Sequence, residues 1–283
     1  MYPSQNLMQI KLRTFLAVIF LCIFERATFA KRYLVPKDEN VIVRFNKGRE
    51  APFLPREEIK ILIWNIYKAG KKNWEKDFKE LIKGVDILML QEFITTPKVL
   101  NIISQDKDRT YFLATSFIDR GNNSSRTGVS IASSYQFKSL GWKRSYYREP
   151  IIRTPKMLEY AEFNLSGTDK RLLVVNIHAI NFVSSRKLEH MVKNGIEIVS
   201  RHKGPVVFAG DFNTWSRKKQ RMLFRLMKEK GLKNVKFLPD TRMKVFGKVL
   251  DFVFLRDLKL IRSKVHGNLK GSDHKAMEVH LSY

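Results

Sequence analysis

Nine side chains interrupt an otherwise apolar pattern in places where they could do chemistry. Asn65 closes ILIWN, Glu92 closes DILMLQE, Asn176 and His178 break LLVVNIHA, Asp211 and Asn213 end VVFAGDFN, Asp251 interrupts VLDFVF, and Asp273-His274 precede the last apolar stretch. Singly, an Asp or Asn at a strand end is most often a turn or a cap, because these side chains bond nearby backbone. The repetition changes the reading, since the strands of one α/β domain bring several of their ends to a common rim where ligands usually sit. Glu92, Asp211 and Asp273, with the amides of Asn65 and Asn213, are hard oxygen donors that suit Mg²⁺ or Mn²⁺ better than zinc. Such a set points to phosphoester hydrolysis, which needs charge neutralised on the phosphoryl oxygens, a base to activate water and a group at the leaving oxygen. No Gly-x-Ser-x-Gly, P-loop or dinucleotide fingerprint competes with this reading. His190, His202, His266 and His280 read as structural.

The elements that must position these residues follow from periodicity. Near-continuous apolar runs at 59–66 and 85–92 predict buried strands, with a helical face over 73–83 between them and a helix over 96–105 after them. Strands are expected at 111–117 and 128–133, and three in succession at 137–147, 157–165 and 171–180, without intervening helices, predict antiparallel pairing. A helix over 184–200, a strand at 205–210, a helix over 216–230 and strands near 245–255, 258–265 and 275–281 complete the chain. The mixture predicts an α/β protein with helices outside two facing mixed sheets, in one domain over 59–283. Residues 31–58, with three prolines and little periodicity, read as an extended arm.

The chain of 283 residues carries a formal charge of +26, from 53 Lys and Arg against 27 Asp and Glu, which predicts an anionic partner. Nucleic acid, anionic lipid headgroups and smaller phosphorylated substrates all qualify. Residues 1–30 resemble an export signal: Lys11 and Arg13 precede the apolar run 15–24, and Thr28-Phe29-Ala30 offers small residues for cleavage. The expected location is therefore periplasmic or secreted, with a membrane-anchored or cytoplasmic protein as the alternatives. Cys22, the single cysteine, lies in this segment, so the mature chain would hold no disulfide or thiolate site. Nothing marks an obligate protein partner, and a monomer is expected. On the helix after Asn213, Arg217, Lys218, Arg221, Arg225 and Lys228 share one sector at 100° per residue, a basic stripe along which a polyanion could lie.

Six pieces in order resemble the endonuclease/exonuclease/phosphatase superfamily, and within it the bacterial YafD-like branch. They are Trp64-Asn65, Gln91-Glu92, Asn176-Ile177-His178, Gly210-Asp211-Phe212-Asn213, Leu250-Asp251-Phe252-Val253 and Ser272-Asp273-His274. The resemblance implies a DNase I-like fold, a four-layer α-β-β-α sandwich. It further implies Glu92 as principal metal ligand with Asn65 and Asp273, Asp211 and Asn213 orienting water or phosphate, Asp251 fixing His274 as general base, and His178 at the leaving group. Asn176 joins the substrate contacts. Where the superfamily places an Arg or Tyr against the phosphate, Arg126 is the candidate, with Arg153 and Tyr111 as alternatives; Arg217 and Arg221 extend the substrate track. The expected activity is a Mg²⁺-dependent phosphodiesterase, first a nuclease on DNA or RNA. The alternatives are a phosphatase or phospholipase C-type hydrolase on phospholipid, sphingomyelin or inositol-phosphate headgroups, and a non-catalytic basic binding protein. An apolar loop facing the substrate would mark the lipid version, and no exposed aromatic hairpin stands out in the sequence.

Overall fold

The computed structural model describes residues 32–283, so the expected export signal and Cys22 lie outside the described residues. The first sheet contains β1 (Tyr33–Leu34), β2 (Ile42–Phe45), β3 (Ile59–Asn65), β4 (Ile87–Ile94), β5 (Thr110–Asp119) and β6 (Ser125–Ser133). The second sheet is entered at β7 (Phe137–Arg144), β8 (Met157–Asn164) and β9 (Arg171–His178), which pair antiparallel as their uninterrupted succession predicts. It continues with β10 (Val206–Asp211) and β11 (Lys233–Asn234). The stretch expected as one strand over 245–255 divides into a hairpin, β12 (Lys244–Val245) and β13 (Lys248–Val249), and a central strand, β14 (Asp251–Arg256). The chain then returns to the first sheet through β15 (Lys259–Val265) and β16 (Met277–Ser282). Strand order is β1-β5-β6-β4-β3-β16-β15, with β2 also on β5, and β11-β14-β10-β9-β8-β7 in the facing sheet.

Among the described residues four α-helices form the outer layers: α1 (Trp74–Leu81) and α2 (Pro97–Gln105) on the first sheet, α3 (Ser185–Arg201) and α4 (Arg217–Lys228) on the second. Thr96, Ser184 and Ser216 cap three of them by accepting from the backbone N–H three residues on, which satisfies donors the first turn leaves open. The core divides accordingly. Ile59, Ile61 and Ile63 of β3 meet Val207, Ala209 and Val253 between the sheets. Leu62 and Trp64 face Trp74 and Phe78 of α1, and Val175, Ile177 and Phe208 face Leu188, Leu223 and Met227 of the other helical layer. Both faces of the central strands are thus covered, which is why they read as unbroken apolar runs. The result is the α-β-β-α sandwich with two mixed sheets.

Residues 32–58 are tied into this frame. Besides β1 and β2, Ala51 bridges Tyr135 and Leu54 bridges Leu165, so the extended arm straddles both sheets.

Candidate active site

Strand alternation aims most of the chemistry. On β9, β10 and β14 the residues facing the other sheet are Leu172, Val174 and Asn176, Val207 and Ala209, and Val253 and Leu255; the next inward positions toward the rim are His178, Asp211 and Asp251. Register sets these three side by side, Asp211 pairing with His178 across the parallel ladder and with Asp251 across the antiparallel one. On the facing sheet the inward row Ile59, Ile61 and Ile63 leads to Asn65 by the same rule.

Glu92 reaches the rim by a different device. Gln91 pairs with Val129 and Phe93 with Gly128, consecutive partners, so Glu92 is an extra residue in a β-bulge, and its φ of 52° lies in the left-handed region. The bulge lets Gln91 point between the sheets, Phe93 pack under the helices and Glu92 line the cleft, which simple alternation would forbid. Strain of this kind is kept where the surroundings over-determine it, commonly at functional sites. Asn213 is also left-handed, at 49°; its N–H donates to Asp211 Oδ1 and its Nδ2 to the Ala179 carbonyl. Gly210 is required between the ladders, because a Cβ there would lie 2.1 Å from the Ile177 carbonyl oxygen.

His274 arrives on a loop anchored from three sides. Trp64 Nε1 donates to the His274 carbonyl at 3.1 Å, Ser272 Oγ donates to the Asn65 carbonyl at 2.7 Å, and the N–H groups of Lys270 and Gly271 donate to Asp77 Oδ2. His274 Nδ1 lies 2.8 and 3.0 Å from the two Asp251 oxygens, which leaves Nε2 directed at Asp211 Oδ2, 3.8 Å away. His178 Nε2 stands 3.6 Å from Asp211 Oδ2 and 3.9 Å from Glu92 Oε1. Asn65 Nδ2 donates to Asp211 Oδ2 at 3.1 Å while its oxygen accepts from the Tyr67 N–H, so Asn65 sits behind Asp211 as its support.

The two imidazoles are held in opposite states. Burial, reinforced by the positive charges of Lys156, His274 and Lys68, depresses His178 well below the usual imidazole range and keeps it neutral. Burial also opposes charge on His274, but Asp251, Asp211 and Asp273 outweigh it and lift its pKa to about 10. Asp211 is pushed up by its own burial and by the neighbouring Asp251.

This donor set fits a hard divalent cation. Asp211, Asp251 and His274 place one ligand atom each within 4.8 Å of one another. Two of these three already bond each other, whereas Glu92 has no hydrogen-bond partner among the described residues and shares the cleft wall with Asp273 and Asp211. Carboxylates crowded with imidazoles are donors for a divalent metal ion.

The cleft above has a volume of ≈390 Å³. Its walls contain residues that no strand-end pattern marks: Lys68, Lys156, Tyr67, Trp215 and Phe246. Lys156 pairs with the buried Glu149 at 3.5 Å, and Lys68, three residues after Asn65, has only its proximity to that motif as a signal.

Four expected substrate contacts are not brought to the cleft. Asn176 lies two residues deeper than His178, fully buried, donating to the Leu90 and Ser130 carbonyls and accepting from Gln91 Nε2; it ties the two sheets together. Arg126 turns toward the arm, its guanidinium on the Asn40 carbonyl and Thr115 Oγ1, because its strand position points it outward. Arg217 and Arg221 are exposed on α4 in the outer layer, outside the cleft lining. Of the alternatives to Arg126, Tyr111 is buried with its hydroxyl on Asp106, and Arg153 is exposed outside the lining.

Two facing mixed sheets whose common rim gathers carboxylates, an Asp–His pair and a second, neutral histidine make a phosphoesterase-type fold with a candidate metal site. The chain belongs to the endonuclease/exonuclease/phosphatase family, whose model matches residues 62–274. It is 34% identical over 235 residues to a UPF0294 protein of Klebsiella pneumoniae (strain 342), covering 82% of this chain and 84% of that one. Solved structures share the fold. An endonuclease/exonuclease/phosphatase family protein from Leptotrichia buccalis C-1013-b superposes with a TM-score of 0.62 at 19% identity, over 80% of this chain and 100% of the other. The mannosyl-6-phosphatase Bt3783 of Bacteroides thetaiotaomicron VPI-5482 gives 0.59 at 13% identity, again over 80% and 100%. A humanized D. rerio TDP2 gives 0.57 at 16%, over 80% and 99%.

Proposed function

We propose that the protein is a divalent-metal-dependent phosphodiesterase that takes one phosphodiester at the floor of the cleft. The observation that carries this reading is the Asp251–His274 pair, with Nε2 3.8 Å from Asp211 Oδ2, whose other flank is His178, itself beside Glu92. Asp251 fixes the tautomer of His274, so Nε2 is the atom that takes a proton from the attacking water. Asp211, held by Asn65 and the Asn213 N–H, orients that water. His178, kept uncharged, offers a hydrogen bond to the leaving oxygen, which takes its proton from solvent, and Lys156 supplies the cationic phosphate contact in place of Arg126. Glu92, Asp273 and Asp211 would hold Mg²⁺ or Mn²⁺, which when bound neutralises phosphoryl charge and relieves the excess of carboxylates around His274.

Among the described residues the lysines and arginines of the cleft wall are Lys68 and Lys156, which with the charged His274 stand against Glu92, Glu149, Asp211 and Asp273. This suits a single phosphate flanked by apolar groups better than a long polyanion. Arg225, the centre of the basic stripe, is itself paired with Glu189 and Glu229. Nuclease activity is the second reading, favoured by the net charge of +26. The same reading takes the protein as an exported monomer, which N-terminal sequencing of the native chain and its sedimentation would test.

The deciding experiment incubates the purified protein with Mg²⁺ or Mn²⁺ and, separately, bis-p-nitrophenyl phosphate, supercoiled plasmid, RNA and phospholipid vesicles. Turnover abolished by chelator and lowered on the order of 10³-fold or more in His274→Ala and Asp211→Ala supports the assignment. Turnover that survives both substitutions would refute it.

A further inference from the structure

The hairpin β12–β13 crosses the mouth of the cleft on a two-residue turn, Phe246-Gly247, with φ values of 50° and 71°. Turns of this kind ask for φ > 0 at both positions and are normally filled by Asn, Asp or Gly. A phenylalanine there is strained and buries little: Phe246 is 85% exposed, with only an edge contact to Trp215 at 6.4 Å. Folding therefore does not explain its side chain.

The same combination recurs across the mouth. Phe182, four residues after His178, has a φ of 53° and is 65% exposed. Ile151, beside the cleft-lining Ile152 on the loop before β8, is 74% exposed. Three apolar tips thus stand around one opening, and the segments 66–73, 145–156, 179–184 and 243–250 that border it carry eight lysines and arginines and one acid, the buried Glu149. Exposed apolar groups rimmed by cations mark an interaction site, and this pairing of insertion with a positive collar matches an anionic lipid surface.

We propose that the mouth of the cleft is a docking surface for an anionic phospholipid bilayer. Phe246, Phe182 and Ile151 enter the level of the headgroups, and the surrounding lysines and arginines rest on their phosphates. The acidic floor then receives a lipid phosphodiester from the membrane plane, an extension that rests on the hydrolytic reading above. Aliphatic Ile151 and Ile152 and the scarcity of cations in the cleft favour this occupant over a nucleic-acid strand, which would use stacked aromatics along a continuous positive groove. Among the described residues no helix is long and apolar enough to cross a membrane, so the contact proposed is interfacial.

Flotation of the purified protein with vesicles tests this. Phosphatidylcholine doped with phosphatidylglycerol should carry the wild type upward, and phosphatidylcholine alone should carry far less. Phe246→Ser/Ile151→Ser, checked for an unchanged melting temperature, should lower the bound fraction about tenfold or more. Lys244→Glu/Lys248→Glu should lose binding to the doped vesicles only. His274→Ala should float like the wild type, so a failure of the hydrolytic reading would leave this measurement intact. Wild type that stays behind with both vesicles, or an apolar double variant that floats equally well, would overturn the proposal. So would a single-stranded oligonucleotide held by the wild type and released by the apolar double variant while vesicles go unbound; that result would assign the mouth to nucleic acid.

Discussion

Replacing Asp251 by Asn keeps the shape of the buried Asp251–His274 pair and removes its charge, so its effect can be worked out from the site. His274 is lifted from 6.5 to about 10, which at 1.36 kcal/mol per pH unit is a net preference of ~5 kcal/mol for its charged form in the metal-free protein. Burial opposes that charge, and Asp251 is the largest favourable contributor, ahead of Asp211 and Asp273. Because the folded value lies above the unfolded one, this stabilisation is complete below about pH 6.5 and is lost as pH rises through about 10. Asp251→Asn should therefore cost roughly 2–3 kcal/mol near pH 6, about half of the total after relief of its own buried charge, and much less near pH 10. Denaturant unfolding in chelator, followed by the fluorescence of the four tryptophans, reads this difference. Mg²⁺ should flatten the wild-type pH slope by taking the place of the proton among the carboxylates. The same variant should lower kcat on the order of 10³-fold or more with KM nearly unchanged, since the tautomer and not the phosphate contact is disturbed. Parallel pH–stability curves for wild type and variant, or an unchanged kcat, would refute the reasoning.

Gly210→Ala should destabilise by about 3 kcal/mol or more, because its Cβ would strike the Ile177 carbonyl at a φ of +135°; a melting temperature within a degree or two of wild type would contradict the close approach of β9 and β10. Asn176→Leu removes the donors to Leu90 and Ser130 and the acceptor for Gln91, which should cost about 2–4 kcal/mol in unfolding experiments without raising KM. A raised KM with full stability would return Asn176 to the substrate contacts.

Much of the fold was legible because its central strands are buried on both faces and its outer helices on one, so periodicity and burial coincide. The unbroken runs at 59–66 and 85–92 are β3 and β4, and the three uninterrupted strands between 137 and 180 do pair antiparallel. The hairpin at 244–249 was hidden because Val245, Val249 and Leu250 read as one apolar run with β14, and no Asn-Gly or Asp-Gly signals the turn at Phe246. A hairpin with an exposed aromatic tip, Phe246, therefore stands at the cleft mouth without a signal in the sequence.

By itself the sequence determined which groups could do the chemistry, since His178, Asp211 and Asp251 sit in or at the ends of apolar runs and His274 just before one, where no apolar core would place them. Tertiary structure alone decided which of the nine polar residues act at the rim. The period of two sends Asn176 and His178 to the same face, but only the depth of β9 in the sandwich makes one a tie between sheets and the other a wall of the cleft. The same holds for charge: the helical wheel grouped the arginines of α4, and the packing of that helix on the outside of the second sheet carried them away from the phosphate site. Lys156, in a loop without periodicity, stands beside His178 instead, because proximity across loops is set by how the strands are stacked and leaves no local pattern to read.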